Sequence, residues 1–171
     1  MPLQPRILKN CMVYMDGDFL LGGHEECELP ELSLNTEDYR GGGMDAPVKI
    51  DMGMEALECS ITFKERRASD LKLFGLTLFG DVPITVRAAD ESDFLAGQII
   101  VDMRGRITKV EETGGWKAGG ETGVKYTMNV HYYRYRRDGE EIYEIDIPGF
   151  KRVIGGVDQL LAQRVALGLV I

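Results

Sequence analysis

From Val124 onward the sequence alternates: Val124, Tyr126, Met128, Val130 and Tyr132 place an apolar or aromatic side chain at every second position. Only an extended strand puts residues i and i+2 on one face, so a helix is excluded here. Asp138-Gly139 follows, a dipeptide that tolerates the positive backbone angles of a tight hairpin, and Glu140 to Ile147 returns. A chain carrying so long a hairpin must cover one face and satisfy its edges.

The same signature recurs elsewhere. Asn10 to Leu21 reads as two short strands joined at Asp16-Gly17, and Glu28 to Thr36 as a further strand. Tyr39-Arg40-Gly41-Gly42-Gly43-Met44-Asp45-Ala46-Pro47 reads as a flexible loop. Beyond it Val48, Ile50, Met52 and Met54 share a face opposite Lys49, Asp51, Gly53 and Glu55. The next apolar set, Leu57, Cys59, Ile61 and Phe63, is out of phase by one residue, so a bulge or kink is expected near Glu55-Ala56. Strands are expected again at Ile84 to Ala88 and Gln98 to Lys109, and a glycine-rich loop at 114–123.

Two short helices complete the reading. Ser69-Asp70 caps one that carries Leu71, Leu73, Phe74 and Leu76, and Asp158 caps a terminal helix over 157–168 that stops at Gly168. The expectation is a mainly β protomer, an antiparallel sandwich or barrel with one short internal helix and a C-terminal helix. At 171 residues it forms a single domain, 1–171.

Charge and cysteine usage narrow the function. The formal net charge of −8 argues against a dedicated nucleic-acid binder, which needs Lys and Arg to neutralise phosphate. Cys11, Cys27 and Cys59 are odd in number and lack a Cys-x-x-Cys pair, against a disulfide framework or zinc site. They fit reduced thiols in a cytoplasmic product. No apolar run has the length of a membrane span and MPLQPRILKN lacks a signal-peptide core, so no stable membrane association is expected.

Catalytic chemistry is not legible. His24 and His131 stand in no metal-binding spacing, Gly41-Gly42-Gly43 lacks the Gly-Lys-Ser/Thr of a phosphate cradle, and Glu25-Glu26, Asp90-Glu91 and Glu140-Glu141 read as solvated turn acids. No cofactor, metal or catalytic residue is assigned. The strongest competing signal is His131-Tyr132-Tyr133-Arg134-Tyr135-Arg136-Arg137, aromatics interleaved with cations as on single-strand nucleic-acid platforms. Strand alternation divides it, with Tyr133, Tyr135 and Arg137 on the side of His131 and Tyr132, Arg134 and Arg136 on the other.

An ordered set of motifs spans nearly the full chain. It comprises Leu29-Pro30-Glu31-Leu32, Glu37-Asp38-Tyr39-Arg40 through Pro47, Asp51-Met52-Gly53-Met54-Glu55, Met103-Arg104-Gly105-Arg106, Asp138-Gly139-Glu140-Glu141, Tyr143-Glu144-Ile145-Asp146, and Gly156-Val157-Asp158-Gln159-Leu160 to Leu169. In content and order it resembles the major tail tube proteins of contractile-tailed phages, which occur also in R-type tailocins. The sequence departs from that pattern at Ile147-Pro148-Gly149-Phe150 and at Gly155.

The resemblance implies a structural, non-enzymatic subunit that forms hexameric rings around a shared central β-barrel. The rings stack into the tube inside a contractile sheath, in the virion tail, assembled in the host bacterial cytoplasm. The implied partners are further copies of the chain, the tail sheath protein, a baseplate or tube initiator, the tape measure protein, and DNA in transit without specific binding. Tyr39, Arg40, Gly42, Gly43, Met44, Asp45, Val48, Ile50, Met52 and Met54 are the candidate contact between rings or subunits, because this segment joins glycine adaptability to an apolar face. The other reading is that this face covers the protomer's own core. Asp102 and Glu144 are candidate lumen-facing acids, since negative charge keeps DNA from sticking to a conduit wall. A type VI secretion-like tube ring, or a monomeric β-sandwich binding module built around Trp116, are the alternatives.

Overall fold

The structure, a computed structural model, describes residues 5–19, 23–75, 80–92 and 95–169. Its strands in chain order are β1 (Ile7–Met15), β2 (Asp18–Phe19), β3 (His24–Glu28), β4 (Leu34–Tyr39), β5 (Val48–Met54), β6 (Leu57–Phe63), β7 (Val82–Ser92), β8 (Leu95–Thr113), β9 (Gly123–Arg137), β10 (Glu140–Asp146), β11 (Lys151–Ile154) and β12 (Val157–Asp158). Helix α1 (Ala68–Leu71) precedes β7 and α2 (Leu161–Ala166) ends the described chain. The mainly β, antiparallel protomer with two short helices is what the chain forms.

Among the described residues ten strands make one sheet in the order β12-β11-β10-β9-β8-β7-β1-β2, with β6 beside β9 and β3 beside β6. The long strands β8 and β9 bend this sheet over itself. Along one edge of β9, Val124–Val130 borders β6 while Tyr132–Asp146 and the pairs beyond it border β10, so β9 belongs to both halves. Side chains from both halves meet in one core, including Val13, Leu57, Ile61, Phe63, Ile84, Val101, Met103, Tyr126, Met128 and Ile145. Phe63 meets Tyr126 edge to face with ring centroids 5.8 Å apart.

The bend coincides with an irregularity in the β8–β9 register. Arg104 opposes Tyr132 and Gly105 opposes Val130, leaving His131 as an extra residue in β9, a bulge that increases twist. Gly105 lies at a tight point between the two strands: a Cβ there would sit 2.1 Å from the Asn129 carbonyl oxygen. The bulge shifts the alternation, so the buried series Val124, Tyr126, Met128, Val130 continues at Tyr133 and leaves Tyr132 on the opposite face, against the expected series.

Four further boundaries differ from the sequence expectation. The strand expected over Glu28 to Thr36 is interrupted between β3 and β4, where Pro30 has no N–H to give a ladder and the chain crosses between sheets. The kink near Glu55-Ala56 is a complete break, with β5 and β6 in different sheets. Helix α1 has Arg67 at its N-cap; Ser69 and Asp70 lie inside it, the Ser69 hydroxyl bonding Asp70 at 2.8 Å, and Leu76 lies outside the described residues. Helix α2 starts at Leu161, because Asp158 is taken into β12; its carboxylate accepts the Leu160 N–H at 3.0 Å and holds Arg164, shaping the entry from three positions upstream.

Both Asp-Gly turns form as expected. Asp16 and Asp138 each have φ near 50°, with Gly17 at 82° and Gly139 at 85°, the paired positive angles of a type I′ hairpin. Asp138 is also tied across the turn, accepting the Gln98 N–H at 2.8 Å and Arg6 at 3.0 Å.

Candidate assembly interface

Among the described residues β4 and β5 pair only with each other. An isolated two-stranded hairpin is marginal in water, so this one must draw stability from elsewhere. Within the subunit its ties are few. Arg152 reaches Asp51 at 2.7 Å and Met54 packs against the core, while the bond from the Glu55 N–H to the Ser33 carbonyl at 3.0 Å only extends the hairpin's own ladder. Beyond these ties its apolar side chains are uncovered: Leu34, Tyr39, Val48, Ile50 and Met52 are between 45% and 55% exposed.

The expected contact residues fall on this hairpin as follows. Tyr39 is in β4, opposite Val48 of β5, and not in the loop. The connecting loop folds back on itself: the Met44 N–H donates to the Gly41 carbonyl at 3.2 Å and Arg40 Nε donates to the Met44 carbonyl at 3.1 Å, with Gly42, Gly43 and Asp45 at the tip. Val48, Ile50 and Met52 are exposed, whereas Met54 is half-buried, because Gly53 at φ 110° interrupts the alternation and turns Met54 inward. The Asp51 carboxylate also accepts the Gly53 N–H at 2.8 Å.

Arg152 is the residue that sequence reading missed. Its guanidinium and the Gly53 N–H hold the Asp51 carboxyl below its ordinary value. A depressed carboxylate contributes stability above its unfolded pKa and loses it as pH falls through the folded value, so this tie is intact at neutral pH. Arg152→Ala is expected to speed amide exchange across Val48–Met54 in the unassembled subunit while β8 and β9 keep their protection. Unchanged exchange in the hairpin would show the tie to be idle.

Helix α2 is uncovered in the same way. None of its residues is buried, and Leu161, Val165, Leu167 and Leu169 are each about half or more exposed. Six residues are too few to persist as a helix alone, and α2 is held by Arg164, which donates to the Phe150 carbonyl at 3.1 Å. Between α2, the 147–150 turn and the hairpin root lies a cleft of about 740 Å³ lined by Met52, Met54, Ile147, Phe150 and Leu160 among others. The cleft thus joins the hairpin root to the start of α2, with Asp51, Lys151 and Arg152 also on its wall.

A second surface lies on the outward face of the main sheet. Directly opposed positions Tyr14, Thr85, Asp102, Arg134 and Glu144 run across β1, β7, β8, β9 and β10. Asp102 accepts from Thr85 at 3.0 Å, Arg134 at 2.9 Å and Arg136 at 2.7 Å, and Glu144 accepts from Lys151 and from Tyr132. Desolvation pushes the Asp102 pKa upward, but the three donors outweigh it and the group sits below its ordinary value. Asp102 and Glu144 therefore share a face with the cations that neutralise them, and do not stand as bare acids.

The interleaved cation–aromatic segment divides between two surfaces. Tyr133 is buried, Tyr135 packs on the core, and Arg137 is paired with the buried Asp90. Tyr132, Arg134 and Arg136 face outward. Trp116, 82% exposed, has Arg66 stacked 4.6 Å from its ring and donates its indole N–H to Glu112. His131 meets Asp81 at 3.1 Å and His24 meets Cys11 at 3.2 Å. Among the described residues no group of three or more His, Cys, Asp or Glu is placed to hold a metal ion, and no helix is long and apolar enough to cross a membrane. Burial pushes the Cys27 and Cys59 thiols up to about 12, so both rest protonated.

The model of the family described as phage tail tube protein FII matches residues 5–168. The tail tube protein of Escherichia phage P2 is 31% identical over 170 residues, an alignment covering 96% of this chain and 98% of that protein. The major tail tube protein of Serratia phage KSP20 is 31% identical over 148 residues, covering 85% of each. In fold, the chain matches one from the cryo-EM structure of an extracellular contractile injection system, the PVC sheath/tube terminator in its extended state. The TM-score is 0.62 at 10% identity, over 80% of this chain and 99% of that one. This chain belongs to the phage tail tube protein FII family, and is a structural component of the virion tail.

Proposed function

We propose that residues 1–171 act as a single tube domain that closes into hexameric rings, and that the rings stack into the inner tube of a contractile phage tail or tailocin. The tube serves as the conduit for DNA ejection and for envelope penetration, and the subunit is not an enzyme. The observation that carries this reading is the hairpin β4–β5 with α2: two elements that expose their apolar side chains and have no core of their own. Five half-exposed large side chains on the hairpin leave on the order of 5 kcal/mol of burial unrealised in the lone subunit. Copies of the same chain are the occupant that a repeating tube supplies, with the segment from Tyr39 to Met54 as the contact between rings.

The edge of β1 supports ring closure. Among the described residues β1 pairs with β7 along its length but with β2 only at Tyr14 and Met15, so the other edge from Ile7 to Val13 is unpaired, and Ile7 and Leu8 are 61% and 57% exposed. An open apolar edge recruits another strand, and closure across copies removes it. The sheath protein, a baseplate or tube initiator and the tape measure protein are the further partners of such a tube. DNA passes without specific binding, in keeping with the net charge of −8. Sedimentation and negative-stain microscopy of the purified protein at rising concentration test this: rings or hollow rods are expected, and a monomer at every concentration would overturn it.

A further inference from the structure

The outward half of the cation–aromatic segment retains the parts of a nucleic-acid platform. Arg134 and Arg136 stand two residues apart on one face of β9 with Tyr132 beside them, and Arg104 stacks over the Tyr132 ring at 4.2 Å. Guanidinium forks suit phosphate oxygens, and tyrosine rings stack on bases. What removes these groups from use is specific. Both guanidinium groups converge on one oxygen of Asp102, Arg134 at 2.9 Å and Arg136 at 2.7 Å, while Glu144 takes the Lys151 ammonium. One carboxylate thus occupies two arginines, and its other oxygen is fixed by Thr85.

We propose that this face is a latent phosphate-binding surface kept silent by Asp102 and Glu144, whose carboxylates occupy the cations that would otherwise hold the backbone of nucleic acid sliding past. Its biological setting rests on the conduit reading above; the chemistry of the face does not. The acids act by engaging these cations directly, so a wall formed by this face need not be strongly negative to let phosphates pass. The partner it rejects is any flexible polyanion with spaced phosphates.

The test uses the full-length protein and a fluorescein-labelled single-stranded DNA, with binding read by anisotropy across a salt series. Wild type is expected to show no salt-sensitive binding at moderate salt. Asp102→Asn keeps the shape of the side chain and removes its charge; it is expected to bind at least about tenfold tighter, with a steep loss as salt rises. Adding Arg134→Gln and Arg136→Gln should abolish the gain, and Asp102→Glu should keep the face silent. Glu144→Gln, which frees Lys151, is expected to give a smaller gain and serves if Asp102→Asn fails to fold. A folded Asp102→Asn protein that binds no tighter than wild type, or a gain that survives loss of both arginines, overturns the proposal. Rod formation by wild type on the same samples separates the two readings: normal rods with no gain in any variant remove the latent face alone, whereas a gain without rods removes the conduit alone.

Discussion

Met52→Asp, and independently Ile50→Asp, are expected to abolish rods while leaving a folded subunit. Met52 is 53% and Ile50 45% exposed, so in the isolated chain either change costs about 1 kcal/mol, the half-burial that the side chain loses. In a tube that buries the hairpin, the same carboxylate is carried into an apolar contact without a cation, at a cost of several kcal/mol per ion. Since every copy repeats the substitution, the penalty recurs at every contact along the tube. Rings without tubes, with an unfolding midpoint close to wild type, are the predicted outcome. Insoluble protein would instead assign these side chains to the subunit's own core, and rods of normal length would remove the hairpin from the contact.

Gly105→Ala is expected to be strongly destabilising. The added carbon would stand 2.1 Å from the Asn129 oxygen and 2.9 Å from its carbonyl carbon, both backbone atoms of a paired strand that no rotamer change can move aside. Overpacking ordinarily costs about 1–3 kcal/mol, and a clash with fixed backbone exceeds that range, so a loss of roughly 4 kcal/mol or more is expected. Denaturant unfolding of the variant checks it. A loss under about 1 kcal/mol would show that β8 and β9 can separate here at little cost, and that the bend does not depend on this close approach.

The two features differ in how they could be read beforehand. Asp138-Gly139 and the apolar alternation of β8 are local patterns, and strand geometry translates them directly into turn and face. The bulge at His131 is not local: it arises because β9 must pass from β6 to β10 along one edge, and nothing in Val130-His131-Tyr132 shows which residue will be left unopposed. For the same reason the series beginning at Val124 was legible through Val130, while the inward position of Tyr133 was not.

The hairpin shows the same division. Its apolar face was readable at Val48, Ile50 and Met52, yet the tie from Asp51 to Arg152 joins residues 101 positions apart, and no spacing signals it. The one-residue slip between Met54 and Leu57 did signal a change of face. That the change is a passage between two sheets depends on tertiary placement, as does the capture of Asp158 by β12, which moves the start of α2 downstream. Asp102 and Glu144 were found as strand-face acids, but their pairing with Arg134, Arg136 and Lys151 required the cross-strand register.

The claim on which the rest depends is that the β4–β5 hairpin and α2 are unfinished surfaces completed by other copies of the chain. A cryo-EM reconstruction of rods assembled from the purified protein examines it directly. The predicted result is density of neighbouring subunits over Tyr39, Val48, Ile50 and Met52 on the hairpin and over Leu161 and Val165 on α2. A tube in which those side chains remain open to solvent, with the contacts made elsewhere on the sheet, would contradict it.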